Sequence, residues 1–280
     1  MQNSNIRVLM LGDLVGTPGQ AMLQKHIKNI KSQHKIDFVV ANGENSADGK
    51  GVTPKIMKFF KHNHVDVVTS GNHIWQKKDI YQYLSQYNDL LRPANFPAGC
   101  PGTGVGIYRC ETPNGVFNIG VMNIQGRVFM RELVGDPMRT ADSLLTMLRS
   151  KTNIILVDFH AETTAEKLGF AFYLEGRVSA VVGTHTHIQT ADNRVLPNGT
   201  AYITDLGMSG ALNSMIGMKK EPIIQNMLTQ MPVKFEVDNE GPFVLCGVVI
   251  EIDTTTGKAI SIERIYITDN DLKIDQHSGE

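Results

Sequence analysis

Cysteine is scarce in this sequence: Cys100, Cys110 and Cys246 are all there are, and no two of them stand at the C-x-x-C spacing of a zinc or dithiol redox motif. A disulfide framework is therefore not expected, and the usage fits a reducing compartment. Excess charge is missing as well. The 27 basic side chains nearly cancel the 28 acidic ones, so no global field draws the chain onto a nucleic-acid backbone or an anionic membrane, and any affinity for phosphate must be local. Nowhere do about eighteen apolar residues run together, the length a membrane helix needs. The apolar stretch Ile6 to Leu11 is too short for a signal-peptide core. The cytoplasm is the expected location, with no membrane partner. Internal repeats, low-complexity tracts and a clean linker are lacking too, so one domain over residues 1–280 is expected.

What is present is alternation. Ile6 to Leu11 reads as a buried strand and TPGQAMLQKHIKNIK as the helix after it, with Thr17 as N-cap, Pro18 at the first helical position and Gln20 completing a capping box. Leu23, Ile27 and Ile30 fall on one helical face. The unit recurs: residues 37–41 read as a strand, and Thr53-Pro54 open a helix with Ile56, Phe59 and Phe60 on one face. A third strand at 65–69 precedes a helix carrying Ile80, Tyr83, Leu84 and Tyr87. Such alternation implies a sheet that is at least partly parallel. Residues 92–106, dense in Pro and Gly, are expected to form a long ordered loop. Further strands are expected at 116–122, 154–159, 178–182 and 200–204, and FVLCGVVIEI and AISIERIYI pair across the turn DTTTGK.

Polar residues cluster just past the carboxyl ends of these strands. Asp13 follows VLMLG, Glu44 and Asn45 follow FVVANG, Asn72 and His73 follow VVTSG, His160 follows IILVDF, and His185 and His187 follow VVGT. Open α/β sheets bind ligands beyond the carboxyl ends of their strands, so five segments are expected to converge there. Singly, each residue has a structural explanation as a turn former, a capping acid or a hydrogen-bonded core histidine. Jointly they do not. His185 and His187, one residue apart, would present both imidazoles to the same side if the backbone stays extended. By contrast His26, His34, His62, His64 and His277 fall on helix faces, loops or the tail, and Trp75 and the methionine-rich positions read as packing.

The set is carboxylate, amide and imidazole without thiolate, which suits manganese, iron or zinc. Seven ligand-type side chains, His73 apart, exceed the needs of one ion. Two ions a few ångströms apart would use them if Glu44 bridges. With only Asp13 and Glu44 negative, such a centre stays positive and attracts phosphate.

Through GD at 12–13, GEN at 43–45, GNH at 71–73, the isolated His160 and GTHTH at 183–187, the sequence resembles the calcineurin-like metallophosphoesterase superfamily. More closely it resembles the YmdB-like branch of bacterial cyclic-nucleotide phosphodiesterases, through GDLVGTPG, NGENSADGKG, GNHIW, RPANFP, DFHAE and GTHTHIQTADNRVLPNGTAYITDLGM, which together cover almost the whole chain. The resemblance implies an α/β/β/α sandwich with a dinuclear site at one edge. It implies Asp13, Glu44, Asn45 and His187 on one metal, Glu44, Asn72, His160 and His185 on the other, and His73 as proton donor. Family precedent is iron or manganese, with 2′,3′- or 3′,5′-cyclic nucleotides as substrates. Two departures from the broad superfamily, Val15 in place of a histidine and Glu44 in place of an aspartate, are proper to this branch. Ile74 and Gln76 stand where an acid often orients the donor histidine, which leaves the partner of His73 unassigned.

The expected chemistry is attack on phosphorus by a hydroxide held between the metals, with His73 protonating the leaving sugar oxygen. A phosphomonoesterase or nuclease on the same site is the enzymatic alternative. A metal-bound nucleotide- or RNA-binding regulator is the non-enzymatic one, against which stands the lack of a basic-aromatic stripe. The expected partner is thus a small phosphate ester, with no extended nucleic-acid surface; a homo-oligomer is compatible with the sequence.

Overall fold

Apolar residues alternate sides along the first strand, β1 (Asn5–Leu14), and that alternation sets the layers. Ile6, Val8 and Met10 face one way, into a core shared with Val121, Leu156 and Val182 of a second sheet. Leu9 and Leu11 face the other way, onto Leu23, Ile27 and Ile30 of helix α1 (Gly16–His34). The computed structural model describes residues 5–274; His277 lies outside them.

The first sheet has the order β12-β11-β10-β1-β2-β3. Strands β2 (Phe38–Asn42), β3 (Val67–Thr69) and β10 (Met208–Ala211) extend β1 in parallel, and the hairpin of β11 (Phe243–Asp253) and β12 (Ala259–Asp269) closes it antiparallel. Helices α1, α2 (Pro54–His62) and α3 (Ile80–Gln86) cover its outer face. The second sheet, β4-β5-β6-β7-β9-β8, is parallel through β5 (Gly115–Gln125), β6 (Ile154–His160), β7 (Ala180–Thr184) and β9 (Ala201–Ile203). Strands β4 (Val105–Thr112) and β8 (Arg194–Val195) edge it, and α4 (Pro137–Arg149) and α5 (Thr164–Leu174) cover its outer face. The layers are α/β/β/α, as the motifs implied. No helix among the described residues is long and apolar enough to cross a membrane.

Two local expectations are corrected. Thr17 is not the cap of α1: Gly16, at φ 55, starts the helix two residues earlier than expected, Val15 caps it without a side-chain bond, and Gln20 Nε2 donates to Ser46 O at 2.9 Å instead. The Pro/Gly loop is shorter than 92–106, because Val105 and Gly106 already pair with Met122 and Val121 of β5. Thr53 does cap α2, accepting from Ile56 N at 3.3 Å. Between β10 and β11 the chain makes an excursion, residues 212–238, that carries α6 (Lys220–Thr229).

Candidate metal centre

The carboxyl ends of β1, β2 and β3 in one sheet meet those of β6 and β7 in the other, which brings the strand-end residues together. Asp13 is the penultimate residue of β1 and His160 the last of β6. Glu44, Asn45, Asn72 and His185 lie in the loops just beyond β2, β3 and β7. Asp13, Glu44, Asn45, His160 and His187 are buried, and Asn72, His73 and His185 half-buried. Space for them is tight at Gly71, where a Cβ would come within 2.2 Å of His160 Nε2 and 2.4 Å of Glu44 Oε2, so the glycine of the GNH motif is required by the site.

The His-Thr-His segment is not extended. β7 ends at Thr184, and His185 and His187 have φ of 101° and 66°, a region that costs L-residues energy. The two imidazoles therefore serve different points rather than one. His185 Nδ1 lies 3.1 Å from His160 Nε2, while His187 Nε2 faces Asp13 Oδ1 at 4.0 Å. The strained turn is held from below by Asp205, whose Oδ2 accepts from Thr186 N at 3.1 Å, from Thr186 Oγ1 at 2.8 Å and from the buried Lys167 ammonium at 2.6 Å. Asp205 Oδ1 accepts from Gly207 N at 2.8 Å.

Each histidine has its outward nitrogen engaged and its inward nitrogen turned toward the other donor atoms, an arrangement that orients the ring for metal binding. Burial works against charge on the His160 ring, but the adjoining Glu44 raises it to about 9, so it gives up a proton only when a cation takes its place. His160 Nδ1 lies 2.9 Å from Thr184 Oγ1, which donates to Asp158 Oδ1 at 2.7 Å. His185 Nε2 pairs with Glu162 at 3.1 Å, and His187 Nδ1 donates to Ile216 O at 2.8 Å. Around His160 Nε2 stand Asn72 Oδ1 at 3.0 Å, Glu44 Oε1 at 3.1 Å and His185 Nδ1 at 3.1 Å. One N–H cannot serve three acceptors, but one cation among these donor atoms can. The ligand atoms of Glu44, His160 and His185 all lie within 4.8 Å of one another, a group that could hold a metal ion.

Asp13 and Asn45 differ. Asp13 Oδ1 and Asn45 Oδ1 are buried with no hydrogen-bond donor, although Asn45 Nδ2 is anchored to Gly49 O at 2.9 Å and Asp13 Oδ2 accepts from His185 N at 3.2 Å. Buried acceptors without donors are costly, and a divalent cation is the partner their chemistry fits.

The electrostatics follow. Burial pushes the Asp13 carboxyl up to about 7, against the pull of His187 and His160. Burial also works against the charge on Glu44, but the facing His160 outweighs it and holds the carboxyl well below its ordinary range. Burial, reinforced by His160, drives His185 down to about 3, so its ring is neutral, the form a metal binds. His73 is lowered, mainly by burial, with Glu44 pulling the other way; its backbone N–H donates to Glu44 Oε2 at 3.1 Å. With Lys50 it lines a cavity of about 570 Å³ floored by Glu44, Asn45, His185 and His187.

Several supporting residues went unread in the sequence: Asp158, Glu162, Thr184, Asp205 and Ile216. Asp158 left a signal, a carboxylate in the middle of the apolar run IILVDFH, where only a paired acid survives burial. It accepts from Thr69, Thr184 and Asn42. Asp205 and Ile216 left none, since their partners are distant in sequence.

Comparison with known proteins identifies the family and the fold. A family model described as YmdB-like protein matches residues 9–265. The 2′,3′-cyclic-nucleotide 2′-phosphodiesterase of Bacillus subtilis (strain 168) is 47% identical over 267 residues, spanning 95% of this chain and 99% of that protein. The crystal structure of a novel phosphatase from Mycoplasma pneumoniae superposes with a TM-score of 0.88 at 34% identity, covering 95% of each chain. A 5′-nucleotidase from Candida albicans SC5314 shares the fold alone, with a TM-score of 0.57 and 12% identity over 94% of this chain and 51% of that one.

Proposed function

The chain belongs to the YmdB-like family, and from that premise we propose that this metallophosphoesterase is a metal-dependent phosphodiesterase that opens the ring of 2′,3′-cyclic nucleotides. The observation that carries the reading is the convergence of three oriented imidazoles, Glu44 and two donorless buried oxygens, a group of which Glu44, Asn45, His185 and His187 floor a cavity that His73 also lines. Glu44, Asn72, His160 and His185 would hold one divalent ion, and Asp13, Glu44, Asn45 and His187 a second, with iron or manganese favoured and zinc acceptable to the same donors. Bound there, such ions supply Lewis-acid polarisation of the phosphate and acidify water.

The protein's own groups do the rest. Glu44 would be the carboxylate shared by both ions. Asp158, through Thr184, holds the His160 ring in register. His73 delivers a proton to the 2′-oxygen as its bond to phosphorus breaks and water supplies the new hydroxyl, so the product is the 3′-monophosphate. Lys50, exposed at the cavity, adds positive charge for an incoming anion. A reducing, cytoplasmic setting belongs to this reading, supported by three unpaired cysteines.

The test is turnover after reconstitution with manganese, iron or zinc, on 2′,3′- and 3′,5′-cyclic nucleotides and on phosphomonoesters. Release of 3′-monophosphates from the 2′,3′-cyclic substrates is expected, with the 3′,5′ isomers as the second substrate class. Activity confined to monoesters would overturn the phosphodiesterase reading.

A further inference from the structure

The cavity wall that faces the metal-ligand side chains comes from the excursion at 212–238. Two backbone ties fasten its base: Lys219 N donates to Glu236 O at 2.9 Å and Asp238 N to Gly217 O at 3.0 Å. Beneath it Met218 and Ile223 pack on Val15 and Met208. On the cavity side Ile216, Met227 and Phe235 stay 49%, 60% and 46% exposed. Ile216 has φ 51°, an outlier for a β-branched side chain that persists only where the surroundings enforce it. Its carbonyl is the one that accepts from His187 Nδ1. One peptide unit thus fixes the apolar wall in place relative to the ligand-bearing loop.

A cavity with charged and imidazole groups on one side and exposed apolar side chains on the other is matched to a ligand with two unlike ends. Its volume of about 570 Å³ lies within the small-molecule range. Methionines and a phenylalanine supply polarisable, adaptable surface for an aromatic ring without reading the pattern of donors and acceptors on its edge. Asn226, the amide on this wall, already donates its Nδ2 to Met231 O at 2.7 Å.

We propose that Ile216, Met227 and Phe235 form the seat of the nucleobase, packing on its faces while the phosphate lies over Glu44, His185 and His187, and that this seat accepts purines and pyrimidines alike. The inference rests on the cyclic-nucleotide reading of the site. It assigns to the excursion the recognition of the part of the substrate that does not react.

The experiment compares three substrates on the manganese-loaded enzyme: 2′,3′-cyclic AMP, 2′,3′-cyclic CMP and ribose 2,3-cyclic phosphate, which lacks a base. Met227→Ser combined with Phe235→Ser changes only exposed side chains; Leu228→Ser, on the same helix but outside the cavity, is the control. The double variant should lose about 10- to 100-fold in kcat/KM on both nucleotides, chiefly through KM, and change less than about twofold on the base-free ester. Its binding of adenosine 3′-monophosphate, read by calorimetry, should weaken by a similar factor, and Leu228→Ser should match the parent throughout. Equal losses on all three substrates, or none on the nucleotides, overturn the seat. So does an altered oligomeric state without base-selective loss, which would assign the face to a second copy of the chain. A parent enzyme that cleaves the base-free ester as fast as the nucleotides removes the seat and leaves the phosphodiesterase. A parent that cleaves only monoesters removes both.

Discussion

Around His160 Nε2 every inward-facing atom has a neighbour, with Asn72, Glu44 and His185 all at 3.0–3.1 Å. Around Asp13 the pattern reverses: Asp13 Oδ1 and Asn45 Oδ1 are buried without a donor, and the approaching His187 stops at 4.0 Å. The two halves of one donor set are thus held in different ways. The His160 half keeps its shape through its own hydrogen bonds and the Asp158–Thr184 relay. The Asp13 half holds buried acceptor oxygens without donors, a cost that a proton on Asp13 or a bound cation relieves. Shape is built into one half and affinity stored in the other.

The strongest test of this division removes the residue common to both. Glu44→Gln should abolish turnover and take the metal content, by elemental analysis, from near two ions per chain to near none, because a shared charge disappears from each half. Retention of one ion would show that Glu44 serves a single half.

His73 belongs to neither half. His73→Ala should keep the metal content and the binding of a non-hydrolysable phosphate analogue, yet lose about 10²- to 10⁴-fold in turnover on substrates with alkoxide leaving groups. A p-nitrophenyl ester, whose leaving group departs as an anion, should suffer much less. Equal losses on both substrates would mean that His73 positions phosphate and is not the acid.

Next in size, Asp158→Asn should slacken only the relay half. An outer partner of this kind is worth roughly 10- to 100-fold in metal affinity, so a two-site titration should show one ion weakened and the other unmoved. Parallel weakening of both would erase the distinction drawn above.

The smallest effect is one of stability and has the opposite sign. In chelated protein, Asp13→Asn should raise Tm by on the order of 5 °C while lowering metal affinity, since burial of Asp13 Oδ1 without a donor costs about 1–3 kcal/mol. The pH dependence follows from the direction of its shift. Burial raises the Asp13 carboxyl from 3.8 to about 7, so across that window the folded chain keeps a proton that the unfolded chain has released. Stability therefore falls as pH rises from about 4 to about 7, and Asp13→Asn should flatten the profile. An unchanged profile in the variant would place the cost elsewhere.

Much of this was legible before any coordinates. The alternation of strands and helices foretold a partly parallel sheet, the family resemblance implied the four layers, and the positions of Asp13, Glu44, Asn72, His160 and His185 at successive strand ends foretold that these side chains converge. Local pattern failed where long-range contacts overrule it. His185 and His187 read as extended because nothing nearby in sequence announces Asp205, which holds Thr186 and with it the positive φ values. Helix α5 carries apolar residues on most sides and buries Lys167, so it lacks the one-sided stripe that marks a surface helix. The methionines of the excursion read as packing, and Met218 does pack. Met227, by contrast, stands 60% exposed on the cavity wall, a difference that depends on how 212–238 folds back rather than on residue type.

The Lys167–Asp205 pair has a kinetic consequence. It lies directly beneath the ligand-bearing turn, and breaking a buried ion pair of this kind costs about 3–5 kcal/mol. Residues 185–187 therefore do not fray by themselves, and exchange of the Thr186 amide proton is tied to the cooperative opening of the sheet edge. The floor of the cavity thus opens no faster than the sheet edge beneath it.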